Sequence, residues 1–328
     1  MVQMLRGLRE DSVSLCGSAD CVAQDIAKLS VFSFDPLNDK AFAQYVRENK
    51  SSIVKFAEAR PKDLEPGACF GKTRVPNQVA SGDGYDWKNR NWVGSVLPAG
   101  HFVFTYDDGP HATYTRDIRD TWEKAGMAKP AFFWVARQVE KNKDIVRELN
   151  SQGYTISSHS ERHADLGSLA KANSPSDLNA VDKQIFGPEL QSVSGTEFES
   201  WKNSVLDREI NKAVESLGAV IEKPVLFFRL PYGSGLRNEL IGRRFQALNL
   251  DHFFWRVDSL DWQDKNPESI RDRVVAQMRA VKSGIVLFHD VHPQSAAAAK
   301  LIVEFLRDNA DFQAVPLVTL PGLMENRK

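Results

Sequence analysis

From His101 onward the sequence alternates short apolar runs with helical periods, and this alternation leaves few architectures open. The runs are HFVFTY, PAFFWVA, GYTISS, PVLFFRL, DHFFWRV, GIVLFH and FQAVPLV. They are short and nearly continuous in apolar, β-branched and aromatic residues, as strands of a covered parallel sheet are. Between them lie stretches of helical period, among them TRDIRDTWEKAG, KDIVRELNSQG, LDREINKAVESLG, LRNELIGRRFQALN, PESIRDRVVAQMRAVKSG and QSAAAAKLIVEFLRDNA. Strands alternating with helices predict a parallel sheet packed under helices. Seven such units leave two edges to protect, so a closed or nearly closed barrel is expected rather than an open sheet. An open doubly wound sheet is the alternative, but its GxGxxG phosphate-binding fingerprint is missing after the first run.

At 328 residues the chain has room for one α/β domain of roughly 200 to 250 residues and a smaller accessory piece. Residues 1–98 differ in texture from the rest. One amphipathic helix is expected over DPLNDKAFAQYVRENKSSIVKFAEA, with Asp35 or Asn38 as its cap. A Pro- and Gly-rich stretch of turns and loop follows, carrying Tyr85, Trp87 and Trp92. These aromatics are expected to pin the segment against the barrel, with a sugar-stacking surface as the alternative.

Lys and Arg number 42 against 43 Asp and Glu, a formal charge of −1. No global basic field is therefore available to hold nucleic acid or an anionic membrane. No apolar run approaches the ~20 residues that cross a bilayer, and MVQMLRGLRE lacks the apolar core of a signal peptide. The three cysteines exclude a disulfide framework and a cysteine-ligated zinc site. Cys16 and Cys21 are close enough in sequence to pair, which leaves Cys69 over.

Parallel barrels present functional groups at the C-terminal ends of their strands. The first run leads into Asp107, Asp108, Gly109 and Pro110, and the third into His159 and His163 within HSERH. The fourth ends at Arg229 with Pro231 and Tyr232, the fifth at Asp258 with Asp261 and Trp262, and the sixth holds Leu287 and His289. Taken singly, each has a harmless reading. Asp-Gly-Pro is a turn sequence, and an His-x-x-x-His pair on a helix face is most often structural. The conjunction carries the weight, because three of the seven histidines fall at strand ends beside carboxylates. Imidazoles and a carboxylate can form a three-ligand metal site with an open position.

In that order and at those strand ends, TYDDGP, HSERH, RLPY, DSLDW and LFH closely resemble the five motifs of the polysaccharide deacetylases, carbohydrate esterase family 4. The resemblance covers about residues 100–320. Tyr106 stands where the family usually has Phe. The implied fold is a distorted (β/α)7 barrel, TIM-barrel-like, here with a mostly helical N-terminal extension. The implied domains are an accessory region over 1–98 and a catalytic domain over 99–328 with an insertion at about 165–205.

The resemblance makes Asp108, His159 and His163 the metal ligands. One carboxylate oxygen and two imidazole nitrogens suit zinc and would accept cobalt or another divalent ion. It makes Asp107 the general base, oriented and kept ionised by Arg229. His289 becomes the general acid for the departing amine, with Asp261 raising its pKa and holding its tautomer and Trp262 packed beside it. Tyr232 would give a backbone N–H to the oxyanion, and Leu287 would line the acetyl pocket. Asp258 could share the task of Asp261 or end its strand, and His111 and His292 are read as rim residues.

The implied activity is metal-dependent N-deacetylation of N-acetylglucosamine-type residues in a polysaccharide, peptidoglycan first, by an extracytoplasmic monomer. Chitin oligosaccharides, an exopolysaccharide, or a small non-sugar amide are alternative substrates, and a catalytically dead carbohydrate-binding protein is the alternative class. The insertion, about forty residues after His163, is far longer than ordinary βα connections. With Phe186, Phe198 and Trp201 among polar residues, it is expected to form one side of a glycan groove, with a surface excursion anchored by a few aromatics as the equal alternative.

Overall fold

Thr105 and Asp107 on one side of the first strand, and Phe104 and Tyr106 on the other, set the architecture: one face turns to the barrel interior and the other to the helices. In the computed structural model, residues 90–320 are described. They contain β1 (Asn91–Trp92), β2 (His101–Asp107), β3 (Ala131–Trp134), β4 (Thr155–Ser158), β5 (Phe227–Phe228), β6 (Asp251–Phe253), β7 (Val257–Asp258), β8 (Gly284–His289) and β9 (Gln313–Ala314). Every ladder is parallel. The strands run β1-β6-β5-β4-β3-β2-β8-β7 across one curled sheet, and β9 pairs with the start of β2. The chain just after β1 also meets β8, where Ile285 N–H donates to the Val93 carbonyl at 3.1 Å. The result is the expected distorted (β/α)7 fold, with the curled sheet forming a half-barrel.

The helices around the sheet are α1 (Tyr114–Lys124), α2 (Ala136–Lys141), α3 (Lys143–Ser151), α4 (Leu166–Lys171), α5 (Ala180–Leu190), α6 (Phe198–Asp207), α7 (Ala213–Ile221), α8 (Glu239–Leu248), α9 (Pro267–Val281) and α10 (Pro293–Asp308). A π-helical turn, Arg208–Lys212, joins α6 to α7. Several starts follow local chemistry. Asn266 accepts from Ser269 N–H ahead of Pro267 in α9, and Asn238 accepts from Leu240 N–H in α8. The α1 start is capped by His111, whose Nδ1 accepts from the N–H groups of Thr113 and Tyr114 at 3.2 Å.

Phe102, Phe104, Tyr106, Trp122, Phe132 and Trp134 lie in the core under the helices. Phe104 meets Trp122 at 4.8 Å between ring centres, and the Tyr106 hydroxyl accepts from Trp122 Nε1–H at 3.1 Å. A tyrosine in place of the usual phenylalanine therefore satisfies a buried indole N–H that would otherwise have no partner.

Three elements differ from expectation. The run DHFFWRV is two strands: β6 pairs with β5 and β1, and after Phe253 the chain crosses to β8 as β7. The run FQAVPLV gives only two strand residues before Pro316 and a 3-10 turn over Leu317–Thr319. The stretch read as turns and loop contributes β1, in which Trp92 is buried against the sheet rather than offered to solvent. The helix expected over residues 35–59, Tyr85, Trp87 and all three cysteines lie outside the described residues.

Candidate active site

Strand register delivers the functional groups to one mouth. Thr105 pairs with Leu287 and Asp107 with His289, and paired residues of parallel strands face the same side, so these four point inward together. Asp108 follows with a left-handed backbone, φ 75°, which turns the chain so that a second consecutive carboxylate reaches the same mouth.

His159 and His163 come from the loop after β4. No helix carries them: residues 159–165 are irregular with a bend at 161–162, and the backbone is left-handed at Ser160 (φ 67°) and His163 (φ 62°). The rings are brought together by this loop, 4.9 Å apart. His159 Nδ1 is 2.7 Å from the Arg229 carbonyl, and His163 Nδ1 is 3.1 Å from the Tyr232 hydroxyl. Each ring therefore presents Nε2 to Asp108 Oδ1, at 3.5 Å from His159 and 3.2 Å from His163. Burial lowers the pKa of both histidines, His159 the more strongly, which keeps them neutral as a metal ligand requires.

The donor set fits a divalent cation. Asp108 Oδ1 is buried without a hydrogen-bond partner, and the three ligand atoms lie within 4.8 Å of one another. Bonds of 2.0–2.1 Å in tetrahedral arrangement place ligand atoms ~3.3 Å apart, close to the separations around Asp108 Oδ1. Nitrogen and oxygen donors with carbonyl and hydroxyl partners behind the imidazoles match zinc and its divalent neighbours.

Arg229 is fully buried inside the barrel. Its Nε–H donates to the Phe253 carbonyl at 3.0 Å, and its Nη1 to Thr105 Oγ1 at 2.9 Å and Asp107 Oδ1 at 2.6 Å. Its guanidinium stacks over Phe133, 4.2 Å from the ring centre. Asp107 thus has one oxygen fixed, while Oδ2 faces His159 Nε2 at 3.6 Å. Burial pushes the Asp107 carboxyl up to about 7, against the downward pull of Arg229 and His289. Burial outweighs Arg229 here, whereas the sequence reading had Arg229 simply keeping this group ionised. A cation held by Asp108, His159 and His163 would add positive charge beside Asp107.

On the opposite side, His289 Nδ1 meets Asp261 Oδ1 at 2.6 Å and its backbone N–H donates to Asp261 Oδ2 at 2.8 Å. Ser295 Oγ also donates to Asp261 Oδ2, and Gln294 Nε2 donates to the Asp261 carbonyl at 2.6 Å. Burial is the largest single influence and opposes a charge on His289, but Asp261, with help from Asp108 and Asp107, outweighs it and raises the pKa to about 10. Asp258 takes no part: its carboxylate accepts from Leu260 N–H and Trp255 Nε1–H and so shapes the turn. Leu287 is buried, whereas Tyr232 and Trp262 are each 53% exposed. Trp262 is thus an open aromatic surface at the mouth. His111 is occupied at the start of α1 and stacks on Tyr114 at 4.2 Å.

Asp290, Gln294 and Ser295 escaped the sequence reading. Asp290 is fully buried and accepts from Gly109 N–H at 2.9 Å, Thr115 Oγ1 and Trp134 Nε1. It clamps the Asp107–Gly109 turn so closely that a Cβ at Gly109 would lie 2.2 Å from Asp290 Oδ2. A polar residue next to His289, and two more ahead of the alanine run that opens α10, were the available signals.

The family profile described as polysaccharide deacetylase matches residues 95–251. A peptidoglycan-N-acetylglucosamine deacetylase of Bacillus cereus is 28% identical over 222 residues, 64% of this chain and 67% of the relative. The peptidoglycan-N-acetylmuramic acid deacetylase PdaC of Bacillus subtilis is 28% identical over 226 residues, 69% of this chain but only 39% of that protein. The solved structure of PdaC has the same fold: TM-score 0.51 at 24% identity, covering 70% of this chain and 93% of that one.

Proposed function

We propose that this chain, which belongs to the polysaccharide deacetylases of carbohydrate esterase family 4, is a divalent-metal hydrolase that removes acetyl groups from N-acetylglucosamine-type residues of peptidoglycan. The observation that carries the reading is one mouth holding a neutral imidazole pair and carboxylate on one side and a carboxylate-backed imidazolium on the other. Residues 99–328, with the insertion at about 165–205, constitute the catalytic domain, and residues 1–98 are accessory. The protein acts as a monomer outside the cytoplasm, where its substrate lies.

Asp108, His159 and His163 hold the cation, zinc first. When bound, it supplies positive charge that acidifies a water and draws electron density from the acetyl carbonyl. Asp107 Oδ2, the buried oxygen that Arg229 does not hold, takes the proton of that water. The water oxygen bonds to the carbonyl carbon, and the Tyr232 backbone N–H helps hold the charge that builds on the carbonyl oxygen. His289 delivers its proton to the amide nitrogen as the C–N bond breaks, leaving acetate and a free amine. Leu287 walls the space for the methyl group, and the exposed rings of Tyr232 and Trp262 offer flat apolar surface to a sugar.

This division of labour predicts a bell-shaped pH profile of kcat/KM. Activity rises as Asp107 ionises, below about 7 once the cation is present, and falls as His289 loses its proton, at a pH that the same cation brings below about 10. Asp261→Asn removes the carboxylate that raises His289, so the alkaline limb should move down toward the ordinary histidine range of ~6.5. An alkaline limb unchanged in Asp261→Asn would remove His289 from the role of acid.

A panel of acetylated substrates, assayed for released acetate, tests the substrate. Peptidoglycan should release the most, ahead of chitin oligosaccharides and acetylated exopolysaccharide. Acetate or amine released only from a small non-sugar amide would overturn the assignment.

A further inference from the structure

The insertion meets the mouth in an unexpected way. Phe186 and Phe198 are buried in the core and Trp201 packs against them, so these rings are not a wall for sugar. Polar groups of the segment and of the π-helical turn after it instead point at the loop that carries His163. Arg162 N–H donates to Glu209 Oε2 at 2.9 Å, and Asp165 N–H donates to Asp182 Oδ1 at 2.9 Å. The third anchor, Ser160 Oγ accepting from His163 N–H at 3.0 Å, lies within the loop.

Asp182, on α5, and Glu209, in the π-helical turn, are both fully buried, and each keeps a second oxygen without a partner. Such groups are costly to bury, and here each serves one backbone N–H beside His163. Around them Arg162 pairs with Glu189 at 2.9 Å, and Asn179 Nδ2 donates to Asp165 Oδ2 at 3.0 Å. The loop needs such support: a left-handed backbone at two non-glycine residues is unfavourable and persists only when its surroundings over-determine it. A π turn at Glu209 alters the helical register where the carboxylate has to reach the loop.

We infer that Asp182 and Glu209 are positioning residues of the metal centre, holding residues 159–165 so that His163 Nε2 faces Asp108 and His159. The insertion, through Asp182, and the π-helical turn that follows it, through Glu209, thereby buttress a metal ligand. This rests on the metal-site reading of the mouth.

The test titrates metal-free protein with Co²⁺, followed by visible absorption. Glu209→Ala and Asp182→Ala should bind Co²⁺ roughly 10 to 100-fold more weakly, as losses of supporting contacts do, with an altered spectrum as His163 shifts. Glu209→Gln should restore affinity and spectrum, because its amide oxygen accepts the same N–H. Folded alanine variants with wild-type affinity and spectrum would overturn the inference alone, whereas a wild-type protein that binds no Co²⁺ would overturn the metal-site reading as well. Amide exchange in metal-free wild type gives the same test without a substitution. Protected N–H groups at Arg162 and Asp165 are expected, and exchange at the rate of an open loop would contradict the buttress.

Discussion

His159→Ala should yield a folded protein that holds no divalent ion after dialysis and releases acetate only at background. His159 is buried, its Nδ1 is engaged by the Arg229 carbonyl at 2.7 Å, and Nε2 is left for the cation. His163 already has its own place, Arg229 carries no acceptor, and Asp107, whose Oδ2 lies 3.6 Å from that nitrogen, is held back by Arg229 at its other oxygen. The loss in metal affinity should exceed the roughly 10 to 100-fold typical of removing a supporting hydrogen bond. Metal content by elemental analysis and acetate by enzymatic assay read both effects, and thermal unfolding of the metal-free proteins checks that the fold survives. A metal-replete, active His159→Ala protein would remove His159 from the ligand set.

Asp107→Asn should do the opposite to the metal and nearly the same to turnover. The amide keeps the shape of the carboxylate and a hydrogen bond with Arg229, but it cannot accept the proton of water. Turnover should fall by about 10² to 10⁴, the usual contribution of a positioned acid or base, with metal content near wild type. His289→Ala should behave alike, since the amine then departs without a proton. Asp108→Asn should instead release metal. Equal metal loss from Asp107→Asn and Asp108→Asn would show that the two adjacent carboxylates do not divide the work as proposed.

What sequence makes legible here is local. The alternation of apolar runs from His101 to the end of α10 places β2, β3, β4, β5 and β8, because strand and helix periods are written in neighbouring residues. The residues gathered at the mouth are legible for a related reason: strand ends share one rim in a parallel barrel, so residues far apart in sequence meet there. What is not legible depends on partners the sequence does not place side by side. The division of DHFFWRV into β6 and β7 follows from where the curled sheet meets β1 and β8. The aromatics of the insertion look fit for a sugar from composition alone, yet Phe186 and Phe198 fill the core because α5 and α6 pack behind the His163 loop. Asp290, Asp182 and Glu209 earn no notice as letters, since each acts on a backbone N–H elsewhere in the chain: Gly109, Asp165 and Arg162.

The most direct test of the account is acetate release by one preparation of the protein in three states: as purified, stripped by a chelator, and stripped then given one equivalent of Zn²⁺ or Co²⁺. With peptidoglycan as substrate, the stripped protein should be inactive and one equivalent of metal should restore activity. Full acetate release from verifiably metal-free protein would contradict the account, as would a metal-loaded protein that releases no acetate from any N-acetylated glycan.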